Sequence, residues 1–592
     1  MIRKKRLPLV LWFVILVFCA VPGISGAVAI SPDLQQALQS AGAAGSVSVI
    51  INLADKADLT RIAATSPDEP TGRDRAAGHD KIFKRSAVIK ALMDKANLTQ
   101  GFLRTFLQNR GAKEIKSLWI INAIAATLPA SVISELMGLP GIESIELDVV
   151  TQMPPVLPAV VAEPGWNIAR INAPGLWSAG ITGSGVIVAT LDTGVDATHP
   201  DLKSSWRGGA CAVPPNCPSW FDPINNSVQP YDVAGSGKGH GTGTMGVILG
   251  ASETEVYGVA PGAKWIAAKI FSDAGLGTDS AIHQAFQWIL APAGDPLNAP
   301  DLVNNSWGLS GALQRNICDP TFQPDIQALK AADIAVVFSA GNEGPNPSTS
   351  ISPANLFGSF AVGATDINDS IASFSSRGPA PLFVPVPPST DAGCDGSTFP
   401  NVVAPGVNIH TSYPGDSYKS WSGTSFSAPH VAGAMALLLS AFPSLTPAQL
   451  QTVLEQTATP LPPAGTVPNN DYGYGLIDVA AAYRSVFISG KGDIPQIAGI
   501  PSSRVFSDTA MGISSVAAVF TIANQGTAIL TIDPGLSGVA LTGPDSSDFS
   551  ITGDTCSGNP IPSLGNCTVS VAFSPLSIGP KSAALTILSN DS

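Results

Sequence analysis

Between residues 167 and 490, short apolar runs rich in β-branched residues alternate with stretches of helical spacing. The apolar runs have the length of strands and no polar face, as expected of strands buried on both sides of a sheet. They lie at 185–192, 264–271, 301–308, 333–342 and 360–366, and the helical stretches between them lie at 279–290 and 324–333. This alternation predicts a three-layer α/β fold, a parallel sheet between helices, with its chemistry at the carboxyl ends of the strands.

The segment before this region has a mixed pattern. Residues 30–155 combine strand-like runs at 46–53 and 117–129 with helical spacing over 80–111, which predicts a small α+β unit. A proline-rich stretch without periodicity, 151–166, follows and is typical of a linker or a processing site.

The end of the chain has an all-β pattern. After the central unit, predicted to cover 156–490, residues 491–512 have the composition of a linker. From 513 to 592, alternating apolar residues and turn signals predict a β-sandwich. The pattern ends on a strand, and we expect the closing strand of this domain to be missing or to be supplied from elsewhere.

The first 29 residues have the pattern of a secretory signal peptide. Four cationic side chains in MIRKKR precede the apolar segment LPLVLWFVILVFCAVPG, and AVA at 27–29 offers small residues to a signal peptidase. The apolar run is short for a bilayer span, which makes a membrane anchor the weaker interpretation. Lipidation at Cys19 is also weaker, because the bulky Phe18 precedes it. The protein is therefore expected to be secreted.

Removing the signal peptide leaves six of the seven cysteines, an even number that suits an oxidising compartment. Six cysteines allow many connectivities, and free buried thiols are the alternative. No Cys/His cluster has zinc spacing. The favoured pairs are Cys211–Cys217 and Cys556–Cys567, each closing a short loop, with Cys318–Cys394 as the remaining pair.

Charge divides the chain into two parts. Residues 30–150 hold 13 basic and 13 acidic side chains, whereas residues 151–592 hold 14 basic and 31 acidic ones. A surface this acidic repels phosphate backbones, so no nucleic acid is expected as a partner.

Four polar residues stand at junctions between the predicted elements. Taken singly, each is more typical of a turn or a helix cap than of a catalytic group. Taken together, a carboxylate, an imidazole, an amide and a hydroxyl at one sheet edge are the groups that nucleophilic acyl transfer requires. They are Asp192 in LDTGVD, His240 in KGHGTG, Asn342 in SAGNEG and Ser425 in SGTSFSAPH.

Through these segments the chain resembles the subtilisin-like serine proteases. LDTGVD, GHGT, AGNEG and GTSFSAPH are similar to the motifs of the family and occur in its order. The segments GVAPGAKWIAAKIF, NNSWG, FSSRGP and VVAPGVNI extend the resemblance over about 167–485. Residues 46–150 resemble the inhibitory propeptide of such enzymes, especially the bacillopeptidase F-like ones. Gly243 departs from the GHGTH motif of many members, at a residue that is not the catalytic base.

The resemblance implies a subtilisin-like catalytic domain and a role for each residue. Ser425 is the expected nucleophile, His240 its general base, and Asp192 the carboxylate that orients the imidazole. Asn342 is an expected donor to the oxyanion. Pro429, which has no N–H, is expected to leave the carbonyl of Ser425 without its helical partner. Among the other histidines, His199 and His430 match family positions that are structural, and His283, in a helical stretch, and His410, in a strand-like run, are weaker candidates.

The resemblance also implies where a peptide binds. Ser306 and Gly308 would pair with the substrate backbone, and Ser339, Ala340 and Gly341 would line the pocket for the side chain before the scissile bond. Ordinary sheet structure is the alternative for both segments.

No cofactor is expected to be required for catalysis, and a structural calcium ion is an open expectation. Asp201 matches one ligand position of the family, but ASETEVYG at 251–258 does not clearly keep the remaining ligands.

These features predict a secreted serine endopeptidase, made as a self-processing zymogen, with protein or peptide substrates and its own propeptide as inhibitor. An α/β-hydrolase esterase is a weaker alternative, since it requires G-x-S-x-G and places the serine first in the chain. A non-enzymatic surface protein is another alternative, because residues 513–592 resemble Hydin-like, choice-of-anchor Ig-type modules and indicate cell-surface contact. The complete set of four site residues argues against it.

Overall fold

The structure is a computed structural model of the 592-residue chain. The predicted signal peptide lies outside the described residues except for Val28 and Ala29. The described residues are 28–42, 45–64, 77–153, 155, 157, 159–160, 165–208, 217–252, 254–309, 318–382, 394, 396–462, 466–489, 497–500, 503–524, 529–534, 538–562 and 565–590.

The N-terminal unit has the predicted α+β character. Its helices are α1 (Pro32–Ala41), α2 (Leu59–Ala64), α3 (Ala77–Asn109) and α4 (Val132–Leu136). Its strands are β1 (Ala29–Ile30), β2 (Ser46–Leu53), β3 (Lys113–Leu118), β4 (Ala123–Pro129), β5 (Ile142–Leu147) and β6 (Val150–Gln152). The first five strands form one sheet in the order β1-β5-β2-β4-β3.

The strand-like run predicted at 117–129 is wrong in one respect, because it is two strands rather than one. A turn over residues 119–122 separates β3 from β4, and Asn122 adopts a φ of 48° there. Asparagine tolerates this left-handed conformation better than most residues do. An apolar pattern that continues through the turn conceals it in the sequence.

A seven-stranded sheet forms the centre of the molecule. Its strands are β7 (Ile187–Asp192), β8 (Trp220–Phe221), β9 (Lys264–Lys269), β11 (Leu302–Asn305), β12 (Ala335–Ser339), β13 (Phe360–Thr365) and β14 (Val402–Pro405). The order is β14-β13-β12-β11-β7-β9-β8 and all neighbours are parallel, which confirms the predicted parallel sheet. The order reverses between β7 and β11, and ligands bind beside the carboxyl ends of the strands at such a reversal.

Helices cover both faces of this sheet. Adjacent residues of β12, Val337 and Phe338, belong to separate buried clusters, one shared with the helices at 240–249 and 424–441 and the other with the helices at 279–290 and 323–331. The helices of this region are α5 (Trp166–Arg170), α6 (Ala173–Ser178), α7 (Pro200–Lys203), α8 (His240–Leu249), α9 (Asp279–Leu290), α10 (Gln323–Ala331), α11 (Thr424–Ala441), α12 (Pro447–Gln456) and α13 (Val479–Ser489).

Short strands at the carboxyl edge of the sheet complete the central region. β10 (Leu276–Thr278) pairs antiparallel with β6 of the N-terminal unit. β15 (Ile409–Tyr413) and β16 (Ser417–Trp421) form a hairpin that leads into α11.

The C-terminal part is all-β, as predicted. Its strands are β17 (Ile497–Ile500), β18 (Ala518–Asn524), β19 (Val539–Thr542), β20 (Phe549–Asp554), β21 (Asn566–Phe573) and β22 (Ala584–Ile587). They form a four-stranded sheet, β17-β18-β21-β20, and a two-stranded sheet, β19-β22, that share one apolar cluster. The likeness to Ig-type modules and the domain boundaries stay predictions.

Two of the three predicted disulfides are present. Cys318 is bonded to Cys394 and Cys556 to Cys567, with Cα–Cα distances of 6.0 and 5.1 Å. The predicted Cys211–Cys217 pair includes Cys211, which lies outside the described residues. Within the described part of the chain, none of the helices has the length and apolar character needed to cross a membrane.

Candidate active site

The four candidate catalytic residues lie at the carboxyl edge of the central sheet. Asp192 is the last residue of β7, and Asn342 follows the end of β12 by three positions. His240 is the first residue of α8, and Ser425 lies in the first turn of α11. These two helices pack against each other, which brings their first turns to the same edge.

A buried hydrogen bond joins the carboxylate to the imidazole. His240 Nδ1 donates to Asp192 Oδ1 at 2.8 Å, and both side chains are almost fully buried. The backbone N–H of Thr193 donates to the same oxygen at 2.6 Å, and the Thr244 hydroxyl lies 3.4 Å from Oδ2. With Nδ1–H donating, the tautomer is set and Nε2 keeps its lone pair.

Helix α8 can approach β7 this closely because residue 241 is glycine. A Cβ at Gly241 would lie 2.1 Å from the carbonyl oxygen of Gly194 and 3.0 Å from Asp192 Cβ. Every residue of α8 is buried, so the helix has no free side toward which it could move. Any side chain at this position would therefore separate His240 from Asp192.

The surroundings of His240 raise the pKa of its imidazole above the ordinary value. Burial by itself lowers the pKa, but the charge of Asp192 and the hydrogen bond to it outweigh that effect. The imidazole is thus a stronger base than a free histidine. Stabilisation of its cation is the property that a general base in acyl transfer needs.

Ser425 occupies a helix turn with an altered hydrogen-bond pattern. Pro429, inside α11, has no N–H to give to the carbonyl of Ser425 four residues earlier, as the sequence indicated. That carbonyl accepts a hydrogen bond from the Ser306 hydroxyl at 2.8 Å instead. The Ser425 hydroxyl in turn donates to the carbonyl of Ser306 at 3.2 Å. Ser306, predicted as a substrate-binding position, thus ties β11 to the first turn of α11.

Asn342 is held by the residue that precedes Ser425. Its Oδ1 accepts hydrogen bonds from the backbone N–H of Thr424 at 3.0 Å and from the Thr424 hydroxyl at 2.9 Å. Because Oδ1 is occupied, the Nδ2 amino group is left to donate. The space beside Gly423 is marked by the place that a Cβ on this residue would take. A Cβ there would lie 3.6 Å from Asn342 Nδ2 and 3.8 Å from the backbone nitrogen of Ser425. Two donors therefore border one small space at the start of α11.

Comparison with known proteins agrees with this geometry. A model of the Subtilase family matches residues 183–475. Subtilisin E of Bacillus subtilis (strain 168) is 34% identical over 64% of this chain and 84% of its own length. Subtilisin Savinase of Lederbergia lenta is 38% identical over 54% of this chain and 98% of its own length. The chain belongs to the subtilase family. By class, this subtilase is a serine-type endopeptidase.

Another relative of the subtilase extends the likeness beyond the catalytic region. Bacillopeptidase F of Bacillus subtilis (strain 168) is 33% identical over 82% of the chain. The match spans 36% of the length of bacillopeptidase F.

The subtilase brings the two predicted substrate-binding segments together across one side chain. A Cβ at Gly308 would lie 2.5 Å from Ile351 Cδ1, and a Cβ at Gly341 would lie 2.8 Å from Ile351 Cγ1. Ser339 and Ala340 are buried at the end of β12, just before Gly341. Both glycines are thus required by close packing, and Ile351 was not singled out in the sequence.

A second buried carboxyl, that of Asp232, lies close to the hydrogen-bonded pair of Asp192 and His240. Asp232 accepts hydrogen bonds from the Thr193 hydroxyl at 2.8 Å and from the Thr242 hydroxyl and N–H at 2.6 and 2.8 Å. Burial raises the pKa of Asp232 to about 6 despite these donors. Thr193 and Thr242 adjoin Asp192 and His240 closely in sequence, so Asp232 fixes the backbone on both sides of the pair. A lone aspartate in a loop gives no signal of this role.

Two of the remaining histidines have partners that explain them without catalysis. His430 Nδ1 lies 2.7 Å from the carbonyl of Phe426 and Nε2 lies 2.7 Å from Asn167 Nδ2; burial lowers the pKa of His430 to about 4. His283 Nδ1 lies 2.8 Å from Asp325 Oδ2 in the core.

The contacts of Asp201 do not fit a calcium ion. Its Oδ2 accepts hydrogen bonds from the hydroxyls of Tyr257 at 2.8 Å and Tyr418 at 2.7 Å. Calcium requires six to eight oxygen ligands, whereas here two phenol protons point at the carboxylate. Across the described residues no group of three acidic, histidine or cysteine side chains could hold a metal. The two tyrosine hydroxyls satisfy Asp201 Oδ2 by hydrogen bonding, where a bound ion would need that oxygen as a ligand.

We expect the hydroxyls of Tyr257 and Tyr418, rather than a bound ion, to stabilise the structure around Asp201. Tyr418→Phe should lower the free energy of unfolding by about 1 to 2 kcal/mol, since it removes a hydrogen bond to a carboxylate. A chelator should leave the thermal midpoint of the unmodified protein unchanged. Thermal and denaturant unfolding measure both effects.

Tyr413→Phe is the matched control, because the Tyr413 hydroxyl has no hydrogen-bond partner among the described residues. Two results together would contradict this explanation of Asp201. The thermal midpoint would fall when a chelator is added, and Tyr418→Phe would lower the free energy of unfolding no more than Tyr413→Phe does.

Proposed function

We propose that the chain is a secreted serine endopeptidase that hydrolyses peptide bonds through Asp192, His240 and Ser425, with Asn342 in the oxyanion hole. The observation that carries this proposal is the buried 2.8 Å hydrogen bond from His240 to Asp192 beside the first turn of α11. A free Nε2 and a serine hydroxyl at the same sheet edge are what acyl transfer uses.

In the proposed reaction, His240 Nε2 takes the proton of the Ser425 hydroxyl as Oγ attacks the scissile carbonyl carbon. For this the hydroxyl must turn away from the carbonyl of Ser306, to which it donates in the structure. Collapse of the tetrahedral intermediate breaks the C–N bond, and His240 returns the proton to the leaving amine. Water then repeats the sequence on the acyl-enzyme and releases the acid.

Charge that develops on the substrate oxygen is stabilised by prearranged donors. Asn342 Nδ2 and the backbone N–H of Ser425 border the space in front of Gly423, and the amino end of α11 adds its dipole. The two hydrogen bonds that Thr424 donates to Asn342 Oδ1 hold the amide in this orientation before substrate arrives. Prearranged donors need no reorganisation during the reaction.

The N-terminal unit supports the proposal that the protein is made as a zymogen. β6 pairs antiparallel with β10, and the N–H of Met153 donates to the carbonyl of Gly275 at 2.9 Å. Four residues on, Leu157 forms an antiparallel bridge with Ser422, three positions before Ser425. An extended peptide substrate would follow the same course past the serine. We place self-cleavage in the interval between Met153 and Leu157.

The predicted signal peptide at 1–29 supports secretion, and cell-surface contact through residues 513–592 is part of the same proposal. Protein or peptide substrates and the N-terminal unit as an intramolecular inhibitor are the proposed partners. No nucleic acid is among them, in keeping with the acidic composition downstream of residue 150.

Ser425→Ala is expected to prevent self-cleavage. The variant should be secreted as a precursor that keeps the N-terminal unit, because no nucleophile is left to attack a peptide bond in the interval from Met153 to Leu157. Electrophoresis and N-terminal sequencing of protein from a protease-free host measure this result.

Ser427→Ala is the matched control, since the Ser427 hydroxyl is buried and has no hydrogen-bond partner among the described residues. It should mature like the unmodified chain. Normal maturation of the Ser425 variant would exclude self-processing at this serine.

Asp192→Asn is expected to lower kcat/KM of the mature enzyme by about 10⁴, the effect of losing the orienting carboxylate in such triads. The carboxylate raises the pKa of His240, so its loss should also move the acidic limb of the pH–rate profile to lower pH. Hydrolysis of a chromogenic peptide as a function of pH measures both effects.

Asp416→Asn removes an exposed carboxylate and should leave the profile unchanged. An acidic limb that stays in place in the Asp192 variant would contradict the assignment of His240 as the base.

A further inference from the structure

Helix α3 of the N-terminal unit carries a basic face at its beginning. Lys81, Lys84 and Arg85 are spaced by three and four positions, which places them on one side of the helix. This basic face, defined here as these three residues, lies against the amino edge of the central sheet. That edge is a full strand length away from Ser425.

Arg85 is buried at this contact and satisfied by backbone carbonyls of the central region. Its Nη2 donates to the carbonyl of Pro300 at 2.9 Å, Nη1 to that of Ala299 at 3.3 Å, and Nε to that of Ala332 at 3.3 Å. Only 6% of the residue is exposed. The guanidinium thus bridges the two loops that lead into β11 and β12 by hydrogen bonding to carbonyls of both.

Two carboxylates face the basic face. Arg85 Nη2 lies 3.6 Å from Asp301 Oδ1, and Lys84 Nζ lies 3.7 Å from Asp333 Oδ1. Asp333 is buried, and its Oδ1 has no hydrogen-bond partner among the described residues, so Lys84 supplies its counter-charge. Without α3, both carboxylates and three carbonyls would form an acceptor-rich notch that a cationic helix fits.

Apolar packing continues the contact along α3. Val88, Ile89 and Leu92, one to two turns after Arg85, belong to the same buried cluster as Phe286 and Leu329 of α9 and α10. The basic face is therefore the end of a continuous interface rather than an isolated ion pair.

We propose that the loops preceding β11 and β12 form a second binding site for the N-terminal unit, remote from Ser425, whose ligand is a helix presenting arginine and lysine on one face. This inference rests on the proposed function in one respect, that the chain is cut between Met153 and Leu157. Cutting there breaks the chain at the carboxyl edge and none of the contacts that α3 makes at the amino edge. Arg85 stays in the notch and retains the N-terminal unit, because leaving requires its buried hydrogen bonds to break.

The test uses the full chain after signal removal, with Ser425→Ala to prevent self-cleavage. A recognition sequence for a site-specific protease, inserted between residues 160 and 165, allows the chain to be nicked from outside. Dissociation of the nicked N-terminal unit is then followed by size-exclusion chromatography and native mass spectrometry. Arg85→Ala should weaken retention on the order of 10²-fold, the effect of removing a buried charged donor.

Arg104→Ala is the matched control, since Arg104 is an exposed arginine on the same helix. It should release the unit within about twofold of the parent rate. Asp333→Asn, on the other side of the interface, should also accelerate release, and asparagine tolerates the φ of 61° at that position. The Asp333 variant provides the test of the second site if the Arg85 variant does not fold.

Equal rates of release from the Arg85 and Arg104 variants would overturn the second site. If the Arg85 variant does not fold, equal rates from the Asp333 and Arg104 variants would overturn it. Failure of the proposed function gives a different result. The Ser425-containing chain would then remain intact, whereas the external nick would still report on the notch.

Discussion

The site depends on one buried hydrogen bond, that between His240 and Asp192. Both side chains are almost fully buried, so removal of one would leave the other buried without its partner, at a cost of about 3 to 5 kcal/mol for a buried pair. Two features preserve the bond. Gly241 lets α8 approach β7 to the distance that the bond requires, and Asp232 fixes the backbone beside both residues. The packing of α8 against β7 therefore sets the geometry of this pair, and a change that loosens that packing displaces His240 from Asp192 directly.

The parallel sheet also explains how the N-terminal unit contacts the central region at both edges of the sheet. At the carboxyl edge, β6 pairs antiparallel with β10, and Leu157 bridges to Ser422. At the amino edge, loop carbonyls and the side chains of Asp301 and Asp333 face outward, and the basic face of α3 occupies them. The two edges have opposite chemistry because every strand runs the same way. One unit can thus contact both ends of the sheet by different interactions, hydrogen-bonded strand pairing at one end and a buried arginine with a neighbouring lysine at the other.

Much of this arrangement could be predicted from sequence, for identifiable reasons. Buried parallel strands give continuous apolar runs, and α9 was predicted with the bounds it has, 279–290, because its apolar spacing is regular. The candidate catalytic residues were found because four motifs occur together. Arg85, Asp232 and the tyrosine partners of Asp201 could not be found, since their burial arises from contacts far apart in sequence. A single charged residue in a helix or loop has the same local pattern whether it is exposed or buried.

The central claim is that Ser425 is the activated nucleophile of this site. The most direct measurement is to treat the processed protein with a fluorophosphonate, which bonds covalently to activated serines, and to locate the adduct by peptide mass spectrometry. The account predicts one adduct, on Ser425, formed in parallel with loss of peptide hydrolysis. An adduct on another residue that accompanies the loss of activity, or full modification of Ser425 with activity retained, would contradict it.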